Sequence, residues 1–471
     1  MKKFVISQLG AVAFVTAAYG AEPMAIAEIL VDRDAETARI KPMNAVNNGP
    51  AITQNLQKRS NMDEFRAARI PYARTHDSNH CGSYGAPHIV DVKAVFPDFD
   101  ADADNPANYD FTLTDRFLAN IRRAGTQIFF RLGHSIEGHP KQYGVEVKDY
   151  TKWSVICEHI IRHCNEGWGW DGGKPDPGKL FGIEYWEIWN EPDLGNWRGS
   201  DTDFFRFYET AAKHLKSHFP GIKIGGPSVA GKEKWSRDFL THCHASGAPL
   251  EFFSWHLYAT EPRDIAQRAV FFRKMMVEAG FEKAESILNE WNFVKGWSDD
   301  WVYSLEVESG RFSQKGAAFI AATMADCQSA PVDMLMYYDA RIGTPMNGMF
   351  DMVTLWPLKG YYPFYAWAKL AERGTQVECT VSSKSEGQFH AVAAKGEDGS
   401  LAVLVARYSA SNDVTDTGMA VLRIPGKDLS KARCHVTDAC RTYTEIPLEP
   451  QSDGSVRLMM QPDSFALFET D

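Results

Sequence analysis

Tyr185-Trp186-Glu187-Ile188-Trp189-Asn190-Glu191-Pro192 is a short, largely apolar run that ends abruptly in an acid and a proline. A second run, Ser286-Ile287-Leu288-Asn289-Glu290-Trp291, carries the same Asn-Glu dipeptide near its end. Short apolar runs bounded by polar residues read as buried strands, and here each strand delivers a carboxylate to its rim. Pro192 stops the first strand, because proline has no N–H to give to a ladder.

Working outward from these two runs, the same texture recurs along the chain. Lys41–Val46, Pro71–Arg74, Gln127–Leu132, Ile222–Gly226, Glu251–His256 and Met334–Tyr338 bring the strand-like runs to eight. Amphipathic stretches separate them: Met62–Ile70, a helix capped by Thr114 that covers Phe117–Arg123, Tyr150–Cys164, Asp203–His218, Trp235–His244, Asp264–Ala279 and Gln314–Cys327. A last helical stretch, Tyr362–Glu372, follows the eighth run. Near-continuously apolar strands alternating with helices indicate a parallel sheet buried on both faces. Eight repeats predict a closed (β/α)8 TIM barrel over residues 40–373. At roughly 30 residues per strand–helix unit, Glu191 and Glu290 stand three units apart, on strands four and seven. Functional groups of such barrels lie at the C-terminal strand ends, where both glutamates are.

After Gly374 the pattern changes to short alternating runs broken by Ser, Gly, Asp and Asn. Val377–Val381, Phe389–Ala394, Leu401–Arg407, Met419–Ile424 and Phe465–Phe468 predict an antiparallel β-sandwich over residues 374–471, with residues 27–39 as an added edge strand. The amino terminus has Met1-Lys2-Lys3, a mostly apolar Phe4–Tyr19 and then small residues, which predicts a signal peptide over residues 1–21 and a secreted or periplasmic protein. No later stretch has the length of a membrane span. A net charge of −11 argues against nucleic acid as a partner, since phosphate neutralisation needs clustered Lys and Arg. Eight cysteines are too sparse for a disulfide scaffold in 471 residues; Cys434 and Cys440 are close enough to pair, and free thiols are expected elsewhere.

Two carboxylates on one rim suit glycosidic bond cleavage, in which one protonates the leaving oxygen and the other acts from the opposite side of the ring. Glu191 is the better acid, because Trp189 gives it apolar surroundings that raise a carboxyl pKa. Glu290 is then the nucleophile, and Asn190 can bond a sugar hydroxyl beside the anomeric carbon. The 13 Trp include candidates for stacking on sugar faces, although most are expected in the core. Trp291, beside the nucleophile, is expected to face substrate.

Trp189-Asn190-Glu191-Pro192 with Asn289-Glu290-Trp291 resembles the retaining barrel glycosidases of clan A. Val46-Asn47-Asn48-Gly49-Pro50, Arg74-Thr75-His76-Asp77 and Ser254-Trp255-His256-Leu257-Tyr258 make the chain similar to glycoside hydrolase family 39, which contains β-xylosidases and α-L-iduronidases. This resemblance covers most of residues 40–370. It implies Glu191 as acid/base, Glu290 as nucleophile, His256 and Tyr258 beside the nucleophile, Arg74 holding it ionised, and His76 on sugar hydroxyls. It also implies a carbohydrate substrate and no cofactor. The alternative is a non-catalytic carbohydrate-binding protein on the same barrel.

The chain departs from the family at Arg131–His139 after strand three and at Tyr337-Tyr338-Asp339-Ala340-Arg341 after strand eight, where a tryptophan platform is common. His134 and Tyr338 are therefore expected to line a substrate site of altered preference. His134, Glu137 and His139 do not have zincin spacing, so no metal is expected there. His159 and His163, near Cys157 and Cys164, read as an ordinary exposed or packed helix face and not as a zinc site. Gly225-Gly226-Pro227 is too short for a phosphate loop. Arg341 and Lys295 could hold a uronic acid carboxylate, but single basic loop residues are usually solvated.

Overall fold

The computed structural model describes residues 25–51, 59–78, 88–135, 147–170, 180–298, 300–383 and 388–471. The expected signal peptide, Cys81, Glu137 and His139 lie outside these residues.

A long strand, β1 (Ile26–Arg39), precedes eight short ones: β2 (Ala45–Asn47), β3 (Tyr72–Arg74), β4 (Gln127–Leu132), β5 (Tyr185–Ile188), β6 (Lys223–Val229), β7 (Phe252–Ala259), β8 (Glu285–Phe293) and β9 (Met334–Tyr337). Strands β2 to β9 pair in parallel and in sequence order, and β9 closes on β2. The barrel expected from the eight apolar runs is therefore present, with β5 as its fourth strand and β8 as its seventh. Gly225 and Gly226 bring β6 close to its neighbours: a Cβ on Gly225 would lie 2.3 Å from the Phe252 carbonyl oxygen.

Most helical stretches fall where the periodicity puts them. One cap is different. The helix spans Thr112–Arg123, so Thr114 is inside its first turn, where its hydroxyl donates to the Ile89 carbonyl. A helix not anticipated, Trp301–Phe312, fills the connection after β8.

Beyond the helix Tyr362–Arg373, eight strands follow: β10 (Thr375–Ser383), β11 (Phe389–Lys395), β12 (Leu401–Arg407), β13 (Gly418–Arg423), β14 (Arg433–Thr437), β15 (Thr444–Ile446), β16 (Val456–Met460) and β17 (Ser464–Thr470). Together with β1 they form one nine-stranded sheet, antiparallel except where β1 runs parallel to β13. The sheet curls around its own apolar core, which includes Ile29, Val31, Val377, Val403, Leu422, Val436 and Phe468. Strand β1 is not an edge, as expected from sequence, but lies in the interior of the sheet between β10 and β13. Its alternating Ala27, Ile29 and Val31 are fully buried, which accounts for that position.

The sheet's other face packs on the barrel. Val392, Ala394, Leu404, Ala406 and Leu467 join the same apolar cluster as the helices Gln314–Ser329 and Tyr362–Arg373. Strand β12 is consequently buried along its whole length, having core on both sides. Cys434 and Cys440 are both free thiols, so the local pairing considered from their spacing does not form.

Candidate active site

The barrel interior is built in layers. At its floor, Ala45, Phe129, Tyr185, Phe252, Ile287, Met334 and Met336 fill the space with apolar side chains. Above them lies a polar layer centred on Arg74 and Glu187, both fully buried. Arg74 Nε donates to Glu187 Oε2 at 2.7 Å. Glu187 Oε1 accepts from Ser228 Oγ at 2.7 Å, Ser254 Oγ at 2.6 Å and Asn289 Nδ2 at 2.6 Å. A buried ion pair is tolerable only when its remaining lone pairs and protons are satisfied, and these hydroxyls and amides supply that.

The same guanidinium reaches upward to the rim. Its Nη1 donates to Glu290 Oε1 at 2.8 Å and to Asn47 Oδ1 at 3.1 Å, and its Nη2 to Asn190 Oδ1 at 2.7 Å and Ser228 Oγ at 2.9 Å. Burial alone would lower the Arg74 pKa, but Glu187 and Glu290 more than offset it and hold the charge in place.

Two breaks in strand alternation put both members of each Asn-Glu dipeptide at the site. Across β7 and β8 the register steps from Trp255–Leu288 to His256–Glu290, so Asn289 is an extra residue. A bulge of this kind re-aims side chains. Asn289 then bonds Glu187 while Glu290, its neighbour, bonds Arg74 and Tyr258. After β5 the device is backbone sign: Trp189 and Glu191 have φ of 77° and 46°. Strain of this sort gathers at functional sites.

One carboxylate oxygen of Glu191, one of Glu290 and a ring nitrogen of His256 all lie within 4.8 Å of one another. The two carboxylates thus face each other across a narrow gap, the arrangement a double displacement needs. The two acids have unequal surroundings. Glu290 accepts from Arg74 and, through Oε2, from the Tyr258 hydroxyl at 2.8 Å. His76 Nε2 lies 3.5 Å from its other oxygen. Among the described residues Glu191 has no arginine partner: His256 Nδ1 is 2.8 Å from its Oε1, and Asn196 Nδ2 donates weakly at 3.3 Å. Burial, with the Asp193 and Asp77 charges, pushes the Glu191 carboxyl up to about 8. Burial also raises Glu290, against the opposing pull of His256 and Arg74. Burial chiefly depresses both histidines, His76 the further below the ordinary imidazole value.

Of the residues expected at the site, Arg74, His76, Asn190, Glu191, His256, Tyr258, Glu290 and Tyr338 converge. Tyr338 donates to Asp77 Oδ2 at 2.7 Å, with its ring near His76 and Tyr258. His134 is buried, with neither ring nitrogen partnered among the described residues, and stands edge-on to Trp189. Burial pushes its pKa down to about 4. Trp291 corrects an expectation. The side chain following Glu290 points out of the barrel, where its indole packs on Phe319 and Tyr337. His163 is held by Asp115 and the Trp168 carbonyl, and His159 stacks on Trp168, as a packed helix face should. Lys295 is exposed and pairs with Glu306. Arg341 is instead buried beside Tyr338 and donates to the Asp77 carbonyl at 2.6 Å.

Several residues at the site carried no signal of their role. Glu187 sits inside an apolar run, and its partner Ser228 is one of several serines near strand ends. Asp193, just past the acid, accepts from the backbone N–H groups of Ala230, Gly231 and Lys232 at 2.9, 3.1 and 3.0 Å. It ties the loop after β6 to the turn that carries Glu191. Trp297, 75% exposed, meets the Tyr258 ring edge-on at 5.4 Å.

An eight-stranded parallel barrel with facing carboxylates on strands four and seven places this chain among the barrel glycoside hydrolases. The model of the glycosyl hydrolases family 39 matches residues 44–338, well over half of the chain, and the protein belongs to that family. A β-xylosidase of Geobacillus stearothermophilus is 25% identical over 221 residues, 44% of this chain and 41% of the relative. A β-xylosidase of Caldicellulosiruptor saccharolyticus is 25% identical over 287 residues, 57% and 54% of the two chains. The matches thus span about half the length of these curated relatives. In structure, a glucosidase from Croceicoccus marinus superimposes with a TM-score of 0.72 at 20% identity, covering 94% of this chain and 98% of the other. At that identity the likeness is one of fold.

Proposed function

We propose that the protein is a retaining glycosidase that cleaves O-glycosidic bonds of plant or microbial poly- or oligosaccharides, with β-xylosides as its first candidate substrates. The observation that carries this reading is the unequal setting of two facing carboxylates. Glu290, against Arg74 and Tyr258, is the one equipped to attack as a carboxylate. Glu191, with a pKa near 8, keeps its proton at neutral pH and can give it to the leaving oxygen.

In the first step the Glu290 oxygen bonds to the anomeric carbon as the glycosidic C–O bond breaks and the Glu191 proton passes to the departing alcohol. In the second, Glu191, now ionised, takes a proton from water as that water displaces Glu290. Asn190 Nδ2 is buried and has no partner among the described residues, while its Oδ1 is fixed by Arg74; this leaves an N–H for a sugar hydroxyl. The exposed Trp297 beside Tyr258 offers a face for a second ring. The names of the two β-xylosidase relatives favour xylose as the glycone. The leader expected over residues 1–21 would export the enzyme to its substrate.

Turnover of xylosides, glucosides, galactosides, arabinosides and uronides by the wild type and by Glu290→Ala and Glu191→Gln tests the proposal. Losing the acid is expected to lower kcat about 10²–10⁴-fold on substrates with poor leaving groups. Loss of the nucleophile should abolish most turnover with the fold intact. Full activity in either variant would overturn the mechanism. Tight sugar binding with no hydrolysis across the panel would favour the non-catalytic alternative.

A further inference from the structure

On the outside of the barrel, the last turn of the helix Asp201–His218 presents His214 and His218 one turn apart. Residues four apart on a helix share a face. Opposite them, on the helix Tyr150–Glu166, stands Glu158. We propose that Glu158, His214 and His218 bind a divalent transition-metal ion of the zinc type.

Glu158 Oε2 lies 2.7 Å from His214 Nε2 and 3.5 Å from His218 Nδ1, and one ligand atom of each residue lies within 4.8 Å of the others. Around a tetrahedral ion with bonds of about 2.0–2.2 Å, ligand atoms stand roughly 3.3–3.5 Å apart. Small side-chain adjustments therefore suffice to seat the ion. Arg162 donates to Glu158 Oε1 at 2.8 Å, which leaves Oε2 as the ligating oxygen and orients the carboxylate. His218 Nδ1 is also 3.0 Å from the His214 carbonyl, a contact that ligation exchanges for the metal. Two imidazoles and one carboxylate suit zinc, nickel or cobalt and not calcium or magnesium, which prefer all-oxygen shells. The negative end of the helix dipole adds to the attraction for a cation. Glu158 is buried, His214 half-buried and His218 exposed, so the ion has an open approach and room for water as a fourth ligand.

Bound there, the ion would clamp the helix after the third barrel strand to the helix after the fourth, whose preceding loop carries Glu191. Binding to the folded chain alone raises stability in proportion to ln(1 + [ion]/Kd).

The test is titration of the chelator-stripped full chain with Zn²⁺, read by calorimetry and by Tm. One ion per chain is expected, with a raised Tm. Affinity should fall at least about tenfold in H214Q and in H218Q, a loss equal to ~1.4 kcal/mol. E158Q should weaken binding, and all three variants should keep wild-type turnover. H218Q, at an exposed helix end, is the variant least able to disturb folding. Glu191, His256 and Glu290 also bring three ligand atoms within 4.8 Å, so zinc at the barrel mouth is the competing outcome. Such zinc would inhibit turnover and persist in H214Q and H218Q. That result, or no binding by the wild type at micromolar zinc, would overturn the proposal.

Discussion

Arg74 fixes which glutamate is which. It bonds Glu290 at 2.8 Å and opposes the upward pull of burial there, while Glu191 is left to desolvation, so two acids of identical chemistry acquire unequal surroundings. The acid has a second determinant in Asp193. Its charge opposes ionisation of Glu191 while its oxygens hold three backbone N–H groups. A carboxyl raised to about 8 stays protonated below that pH, so kcat/KM should fall as pH rises through about 8. Asp193→Asn removes the repelling charge but keeps an acceptor oxygen for the loop. Glu191 then loses its proton more readily, and the alkaline limb of the pH profile should move to lower pH while the acid limb stays. An unmoved alkaline limb would exclude Asp193 as its determinant. Glu191 and Glu290 were legible in the sequence because two run-ending Asn-Glu dipeptides at this spacing are a poor fit to chance surface acids, and Arg74 only through the family resemblance. Glu187 was not, since a carboxylate within a strand shows its partners only when five strands are brought together.

At the scale of elements, strand existence was legible from apolar runs, and strand geometry was not. Period-two alternation cannot announce the bulge that turns Asn289 and Glu290 to the same side. Trp291 was expected to face substrate for its place beside the nucleophile, yet it packs on Phe319, on the side alternation gives the neighbour of Glu290. Nor can it show that β1 enters the sheet interior, because pairing partners some 350 residues away decide that. The glycines of β6 are a different matter, where tight packing is the whole role. A Cβ at Gly225 would meet the Phe252 carbonyl oxygen at 2.3 Å and its ring carbon Cγ at 2.5 Å, with backbone that cannot give way cheaply. Gly225→Ala should cost ~1–3 kcal/mol, as overpacking does. Urea unfolding would show this as a lower midpoint, and a wild-type midpoint would mean that β6 and β7 separate freely.

Across the whole molecule, the barrel and the nine-stranded sheet share a buried boundary. Lys315 on the helix Gln314–Ser329 donates to the Ser409 carbonyl at 2.7 Å and pairs with Asp463 at 3.2 Å. Asp326 meets His390, Phe319 packs on Tyr408, and the Tyr408 hydroxyl donates to the Thr260 carbonyl beyond β7. A chain ended at residue 374 would strip β1 of β10 and β13 and expose the apolar face of two barrel helices. Such a truncation should be insoluble or aggregate; a soluble, fully active product would show the sheet to be an accessory. The division of labour between the two glutamates is tested most directly by azide rescue, with product configuration read by NMR on an activated aryl β-glycoside. In Glu290→Ala, azide should occupy the vacated nucleophile position and yield a glycosyl azide of inverted configuration. In Glu191→Ala, azide should attack the glycosyl-enzyme and yield the retained anomer. The reverse pattern, or no azide product from either variant, would contradict the assignment.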